Sequence, residues 1–143
     1  MPHKTLDPQR VSELIGQDSA TVYIDVRTVQ EFEQSHVPGS YNIPILFMTA
    51  QGMLPNPEFV ATVKRHFPST QTIVFGCKSG GRSQRACEML EREGYRSLIN
   101  MSGGLHSATD MSGNVVEPGW IACGLETARA SEPGRSWKEL GKK

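Results

Sequence analysis

Apolar and polar positions along this chain alternate between strand-like and helix-like periods, and each change of period marks an element. Residues 6–15 place Val11, Leu14 and Ile15 on one helical face, with Asp7 positioned to cap the first turn and Pro8 at a first helical position that needs no N–H. Residues 22–26, a β-branched and aromatic run, predict a buried strand, and residues 28–34 a short helix. Val37-Pro38-Gly39 interrupts the pattern, and residues 41–43 predict a brief strand ended by Pro44. Residues 47–57, rich in Met, Gly and Pro, predict an irregular surface connection. The helix expected over residues 57–67 buries Phe59, Val60, Val63 and Phe67. Residues 72–75 then read as a buried strand, residues 83–93 as a helix and residues 97–101 as a last strand. This alternation predicts an α/β fold whose parallel sheet is covered on both faces, with ligands bound beyond the carboxyl ends of its strands. Both Asp25-Val26-Arg27 and Cys77 fall at that edge.

After about residue 112 the pattern dissolves, and no internal repeat is found. The organisation expected is one domain over residues 1–112 and a C-terminal extension, residues 113–143, whose order the pattern leaves undetermined. Trp120 and Ile121 are the residues of the extension expected to dock on the body.

Length and charge narrow the function classes. A chain of 143 residues suits a single core. Fifteen basic residues balance fifteen acidic ones, and no basic run exceeds Lys142-Lys143, so no nucleic-acid partner is expected. No stretch approaches the roughly 20 apolar residues of a membrane span, and the amino terminus lacks a signal-peptide core. The expectation is a cytoplasmic protein without a membrane partner. Three cysteines, at positions 77, 87 and 123, make an odd set without a Cys-x-x-Cys pair, which disfavours both a disulfide framework and a metal site.

Candidate chemistry concentrates in the run TIVFGCKSGGRSQRACEML. Cys77 stands where a strand gives way to a helix, so Cys77, Lys78, Ser79, Gly80, Gly81 and Arg82 form a tight loop feeding a helix N-terminus. Backbone N–H groups there lack intrahelical partners, and the helix dipole adds roughly half a positive charge. Lys78 and Arg82 contribute two cations, and Gly80 and Gly81 allow the N–H groups to fold inward as an anion nest. A thiolate is an anion of the kind such a loop stabilises, so Cys77 is expected to be the nucleophile. Cys87 shares a helix face with Ala86 and Leu90 and reads as core. Cys123, in the extension, is a candidate resolving thiol if the extension folds back on Cys77. Arg27 and Glu31 are spaced for an i,i+4 pair, and His36, before Pro38-Gly39, reads as a turn histidine. Ser83 is the better N-cap candidate of the two loop serines, and either hydroxyl is placed to donate to a bound sulfur or oxyanion.

The string CKSGGRS resembles the active-site loop of the rhodanese family, in which a cysteine, four intervening residues and an arginine open a helix. Upstream, VYIDVRTVQEFEQSHVPGSYNIP resembles the family's amino-terminal signature, and downstream EGYRSLINMSGG resembles its Gly-Tyr, final strand and Gly-Gly pair. The chain departs from the pattern after the Gly-Gly pair, where many members carry a tryptophan and this one has Leu105, His106, Ser107 and Ala108.

The resemblance implies a rhodanese-like fold, a central mostly parallel five-stranded sheet with helices on both faces. It implies a sulfurtransferase without metal or cofactor, moving sulfur from thiosulfate or a persulfide to a thiol or cyanide through a Cys77 persulfide. It also gives Asp25 and Arg27 a supporting role at the floor of the loop, with Lys78 favouring an anionic donor and Arg82 bracing the loop. Two alternatives stay open. One is a persulfide carrier or regulatory module serving an acceptor protein. The other is a phosphatase or arsenate reductase, whose similar loops carry one more residue between cysteine and arginine.

Overall fold

The computed structural model describes residues 3–142. From the amino terminus, β1 (Lys4–Leu6) leads into α1 (Pro8–Gln17). Asp7 caps α1 by accepting the Arg10 N–H at 2.9 Å. Leu6 was expected in this helix, but it lies in β1, where it pairs with Met101 one residue before the extended cap. β2 (Val22–Asp25) and α2 (Val29–Gln34) follow, the latter opened by a reciprocal capping box between Thr28 and Glu31. After β3 (Tyr41–Asn42), the segment expected to be irregular forms an antiparallel hairpin, β4 (Leu46–Thr49) with β5 (Gly52–Pro55). Its turn at Gly52, with φ of +103°, closes the hairpin despite a weak strand composition. α3 (Phe59–His66), β6 (Ile73–Gly76), α4 (Gly81–Glu91) and β7 (Leu98–Met101) come next. A small antiparallel hairpin joins β8 (Ala108–Thr109), at the end of the domain, to β9 (Val115–Glu117) of the extension, which also carries a last helix, α5 (Trp137–Leu140).

Among the described residues the central sheet has five strands in the order β1-β7-β6-β2-β3, and every pairing is parallel. Strand side chains alternate between two buried clusters, as a parallel sheet requires. Ile24, Ile73 and Phe75 pack with Phe59 and Val63 of α3 and Leu90 of α4 on one face. Tyr23, Val74, Ile99 and Met101 pack with Val11 of α1 and with Leu105 and Trp120 on the other.

The extension is part of this packing. Trp120 docks as expected, its backbone N–H donating to Gly104 O at 2.8 Å and its indole N–H to Glu126 O at 2.7 Å. Ile121 does not dock; its side chain is exposed. The chain then exchanges backbone hydrogen bonds between Ala128 and His36, both at 2.8 Å, and passes the edge of β3, where Asn42 N–H donates to Arg135 O at 2.9 Å. The Arg135 guanidinium lies 4.7 Å from the centre of the Tyr41 ring. Finally α5 inserts Leu140 into the α3–α4 cluster with Trp137 against it, and His66 bonds the Leu140 carbonyl at 2.8 Å. The extension thus wraps from one face of the sheet, around its β3 edge, to the other.

Candidate active site

Cys77 follows the last residue of β6, and its side chain is buried, 2 % exposed. Gly80, with φ of +118°, is the N-cap of α4, a conformation an L side chain rarely adopts. That turn folds the backbone over the sulfur: the Gly80 N–H donates to Cys77 Sγ at 3.1 Å and the Ser83 N–H at 3.4 Å. Ser83 is therefore not the cap the sequence suggested. It lies within the first turn of α4, with its hydroxyl 3.4 Å from Sγ and 2.5 Å from Asn100 Oδ1. Lys78 and Ser79 form the exposed rim, and no ion pair engages Lys78 among the described residues.

The two arginines of the site are held differently, and neither makes the i,i+4 pair expected between Arg27 and Glu31. Arg82 instead reaches across to Glu31 in a two-pronged contact, Nη1 to Oε1 at 2.8 Å and Nη2 to Oε2 at 3.1 Å. Burial works against ionisation of Glu31. The Arg82 hydrogen bonds and the Thr28 N–H and hydroxyl outweigh it, so the carboxyl is lowered to about 2. Glu31 thereby ties the end of the loop to the start of α2, a partner the sequence reading did not assign to it. Its Thr28-x-x-Glu31 capping signature was the one visible sign that this carboxylate was placed with care.

Arg27 turns inward onto Asp25, both 2 % exposed or less. Its Nη2 lies 2.7 Å from Asp25 Oδ2 and also donates to Ser35 O at 2.6 Å. The pair sits beside the root of the loop, where Asp25 pairs with Gly76 across the β2–β6 register and Val26 N–H donates to Gly76 O at 3.0 Å. Its side chains bond each other and Ser35, so the support reaches the loop through the strand end. Asn42 joins from β3, its amide nitrogen 3.1 Å from both the Asp25 and Arg27 carbonyls.

The third wall is backbone. Leu105 N–H donates to Cys77 O at 2.8 Å and His106 N–H to Lys78 O at 2.9 Å. This approach leaves no room for a side chain: a Cβ on Gly104 would lie 2.5 Å from Cys77 O. Gly103 is equally constrained on its other side, where a Cβ would lie 2.2 Å from Pro118 O of the extension. His106 stands at the rim, its imidazole pKa lowered first by partial burial and then by the charges of Arg27 and Lys78.

Among the described residues, none of the remaining candidates hydrogen-bonds Cys77 Sγ. Cys87 is fully buried among Ala86, Leu90 and the α3 side chains, and burial, then the charges of Glu91 and Glu88, push its thiol up. Cys123 is exposed on the extension, and all three cysteines are free thiols. His36 is a buried turn residue, stacked 3.8 Å from Phe32 and bonded to Phe32 O at 2.7 Å.

Comparison with known proteins gives the family and the fold. Residues 7–110 match the model of the rhodanese-like domain. Thiosulfate sulfurtransferase 16, chloroplastic, of Arabidopsis thaliana is 36 % identical over 107 residues, covering 73 % of this chain and 89 % of that protein. The mitochondrial Protein HIGH ARSENIC CONTENT 1 of the same plant is 41 % identical over 88 residues, 62 % of this chain, and this chain spans 52 % of its length. A crystal structure of an M. tuberculosis protein superposes with a TM-score of 0.74 at 23 % identity, covering 91 % of this chain and all of that one, a likeness of fold.

Proposed function

The chain belongs to the rhodanese-like domain family, and from that premise we propose that it is a sulfurtransferase working through a Cys77 persulfide. The observation that carries the reading is the sulfur of Cys77, held at the start of α4 with two backbone N–H groups directed at it. The thiolate attacks the outer sulfur of thiosulfate or a persulfide. The donor S–S bond breaks, its electron pair leaves on sulfite or a thiolate, and the charge passes to the outer sulfur of the new persulfide. An acceptor thiolate, or cyanide, then attacks that sulfur, and the electron pair returns to Cys77. Preorganised N–H groups solvate the charge in both states without rearranging, which is the main catalytic contribution this site offers.

Arg82 is neutralised by Glu31 and braces the loop, so attraction of an anionic donor falls to Lys78. Four residues separate Cys77 from Arg82, a cup suited to one sulfur and short of donors for three phosphate oxygens.

Mass spectrometry after incubation with thiosulfate tests the proposal. One added sulfur is expected on the wild type and none on Cys77→Ser, with sulfur passed on to cyanide and negligible aryl phosphate hydrolysis. An adduct mapped to Cys87 or Cys123 would remove Cys77 from the reaction, and faster phosphatase turnover would replace the reaction itself. Loading without release to cyanide or small thiols would assign a carrier serving a protein acceptor.

A further inference from the structure

Ser83 has one hydroxyl proton and three neighbours that would take it: Asn100 Oδ1 at 2.5 Å, Gly80 O at 3.1 Å and Cys77 Sγ at 3.4 Å. Asn100 comes from β7, is 5 % exposed and makes the shortest of these contacts. We infer that Asn100 is a positioning residue that takes the Ser83 proton, so that the hydroxyl presents a lone pair rather than a proton to Cys77.

The consequence is selective. A lone pair facing Sγ accepts from a neutral thiol and opposes charge on Sγ, leaving the Gly80 and Ser83 N–H groups as the donors to the sulfur. In a persulfide the charge sits one atom farther out, on the transferred sulfur, and Sγ is no longer ionisable. The Ser83–Asn100 pair therefore weighs against the empty thiolate more than against the loaded persulfide, favouring retention of the sulfur until an acceptor arrives. This rests on the Cys77 chemistry proposed above.

The test is the rate of Cys77 alkylation by a neutral reagent against pH, which requires no sulfur transfer. In Asn100→Ala the hydroxyl is released. Gly80 O already accepts the Gln84 N–H at 3.2 Å, so a charged sulfur is the stronger claimant for the proton. Alkylation one pH unit below the wild-type midpoint should rise about three- to tenfold, the scale of a hydrogen bond to a charged group. Asn100→Asp keeps the acceptor and adds negative charge, so it should shift the profile the opposite way. In a Ser83→Ala background, Asn100→Ala should change nothing further.

The charged and titratable groups around the sulfur, namely Lys78 and Arg82 on the loop, Tyr23, Asp25 and Arg27 on β2 and its end, Glu31 on α2, and His106, are identical in every variant. Asn100 opens onto a polar cleft of about 240 Å³ that includes Thr5, Ser79, Gln84 and Glu117, so water fills the space the alanine leaves. A melting temperature for each variant confirms the fold, and Asn100→Asp, the isosteric change, carries the test if the alanine variant does not fold.

Shifts of the same sign in both Asn100 variants, an unchanged Asn100→Ala profile, or an Asn100→Ala effect that persists without the Ser83 hydroxyl would each overturn the assignment. Opposite shifts in a protein that takes no sulfur from any donor would uphold Asn100 and reject the sulfurtransferase reading.

Discussion

The active-site loop and the C-terminal extension meet on opposite sides of one glycine pair, yet they are built on different principles. The loop, Cys77 to Arg82, organises itself through contacts a few residues apart: Gly80 turns the backbone and the first N–H groups of α4 close on Sγ. The extension has little regular structure of its own, the short strand β9 and the one-turn helix α5. It is held by contacts with distant elements, from Trp120 on Gly104 to Leu140 under α3. Gly104 presses on the loop and Gly103 on Pro118 of the extension, so the locally determined part and the globally determined part share a wall.

Cutting the support beneath the loop should have the largest effect on stability. Asp25→Ala leaves Arg27 buried and unpaired, which should destabilise the fold by about 3–5 kcal/mol in a urea titration. If the loss were below about 1 kcal/mol, the Asp25–Arg27 pair would not be the strut that roots the loop.

On the extension side, Leu140→Ala removes a buried side chain from the α3–α4 cluster and should cost about 2–3 kcal/mol, toward the lower part of the range for such changes because a terminal helix yields easily. The informative comparison is between this loss and the alkylation rate of Cys77. A fall in stability with an unchanged rate would keep the two regions separate, whereas a parallel fall in rate would show that α5 helps shape the loop.

Glu31 sharpens the comparison by pH. Its carboxyl lies at about 2 in the folded protein against an ordinary 4.5, so the stabilisation is complete above the unfolded value and is lost as pH falls from there toward 2. Glu31→Gln should cost about 1–2 kcal/mol at neutral pH, after allowing for solvent around a half-buried pair, and progressively less below pH of about 4. A constant difference between wild type and variant across that window would show that the Arg82 contact does not depend on charge.

The smallest effects belong to the rim. Lys78→Ala should raise KM for thiosulfate a few-fold, shrinking as salt rises, and leave a neutral persulfide donor unaffected. Arg82→Ala, by loosening the loop, should slow transfer from both donors. Equal loss with both donors for Lys78→Ala would move it from attraction to bracing.

These particulars also show how far the sequence could be read. The parallel α/β architecture, the helix and strand succession, the buried state of Cys87 and the turn role of His36 all followed from periodicity and local chemistry. Strand β1 did not, because three residues carry too little pattern to outweigh the helix beside them. The β4–β5 hairpin was hidden by its Met, Gly and Pro content, which describes a loop as well as a short exposed strand pair. Ser83 looked like a cap because hydroxyl residues favour that position, but Gly80 reaches a positive φ that no serine matches at similar ease.

By itself the sequence determined the candidate nucleophile and its cup, because a strand end, a glycine turn and a helix start within a few residues place the N–H groups whatever packs around them. Tertiary structure alone decided which groups complete the site. Arg82 finds Glu31 at a separation of 51 residues, Ser83 finds Asn100 at 17, and the extension closes on Gly103 and the α3 face. Such partners have no preferred spacing along the chain. They are selected when burial of the two apolar faces brings their elements together, and the polar groups carried along must then find one another to offset their lost hydration.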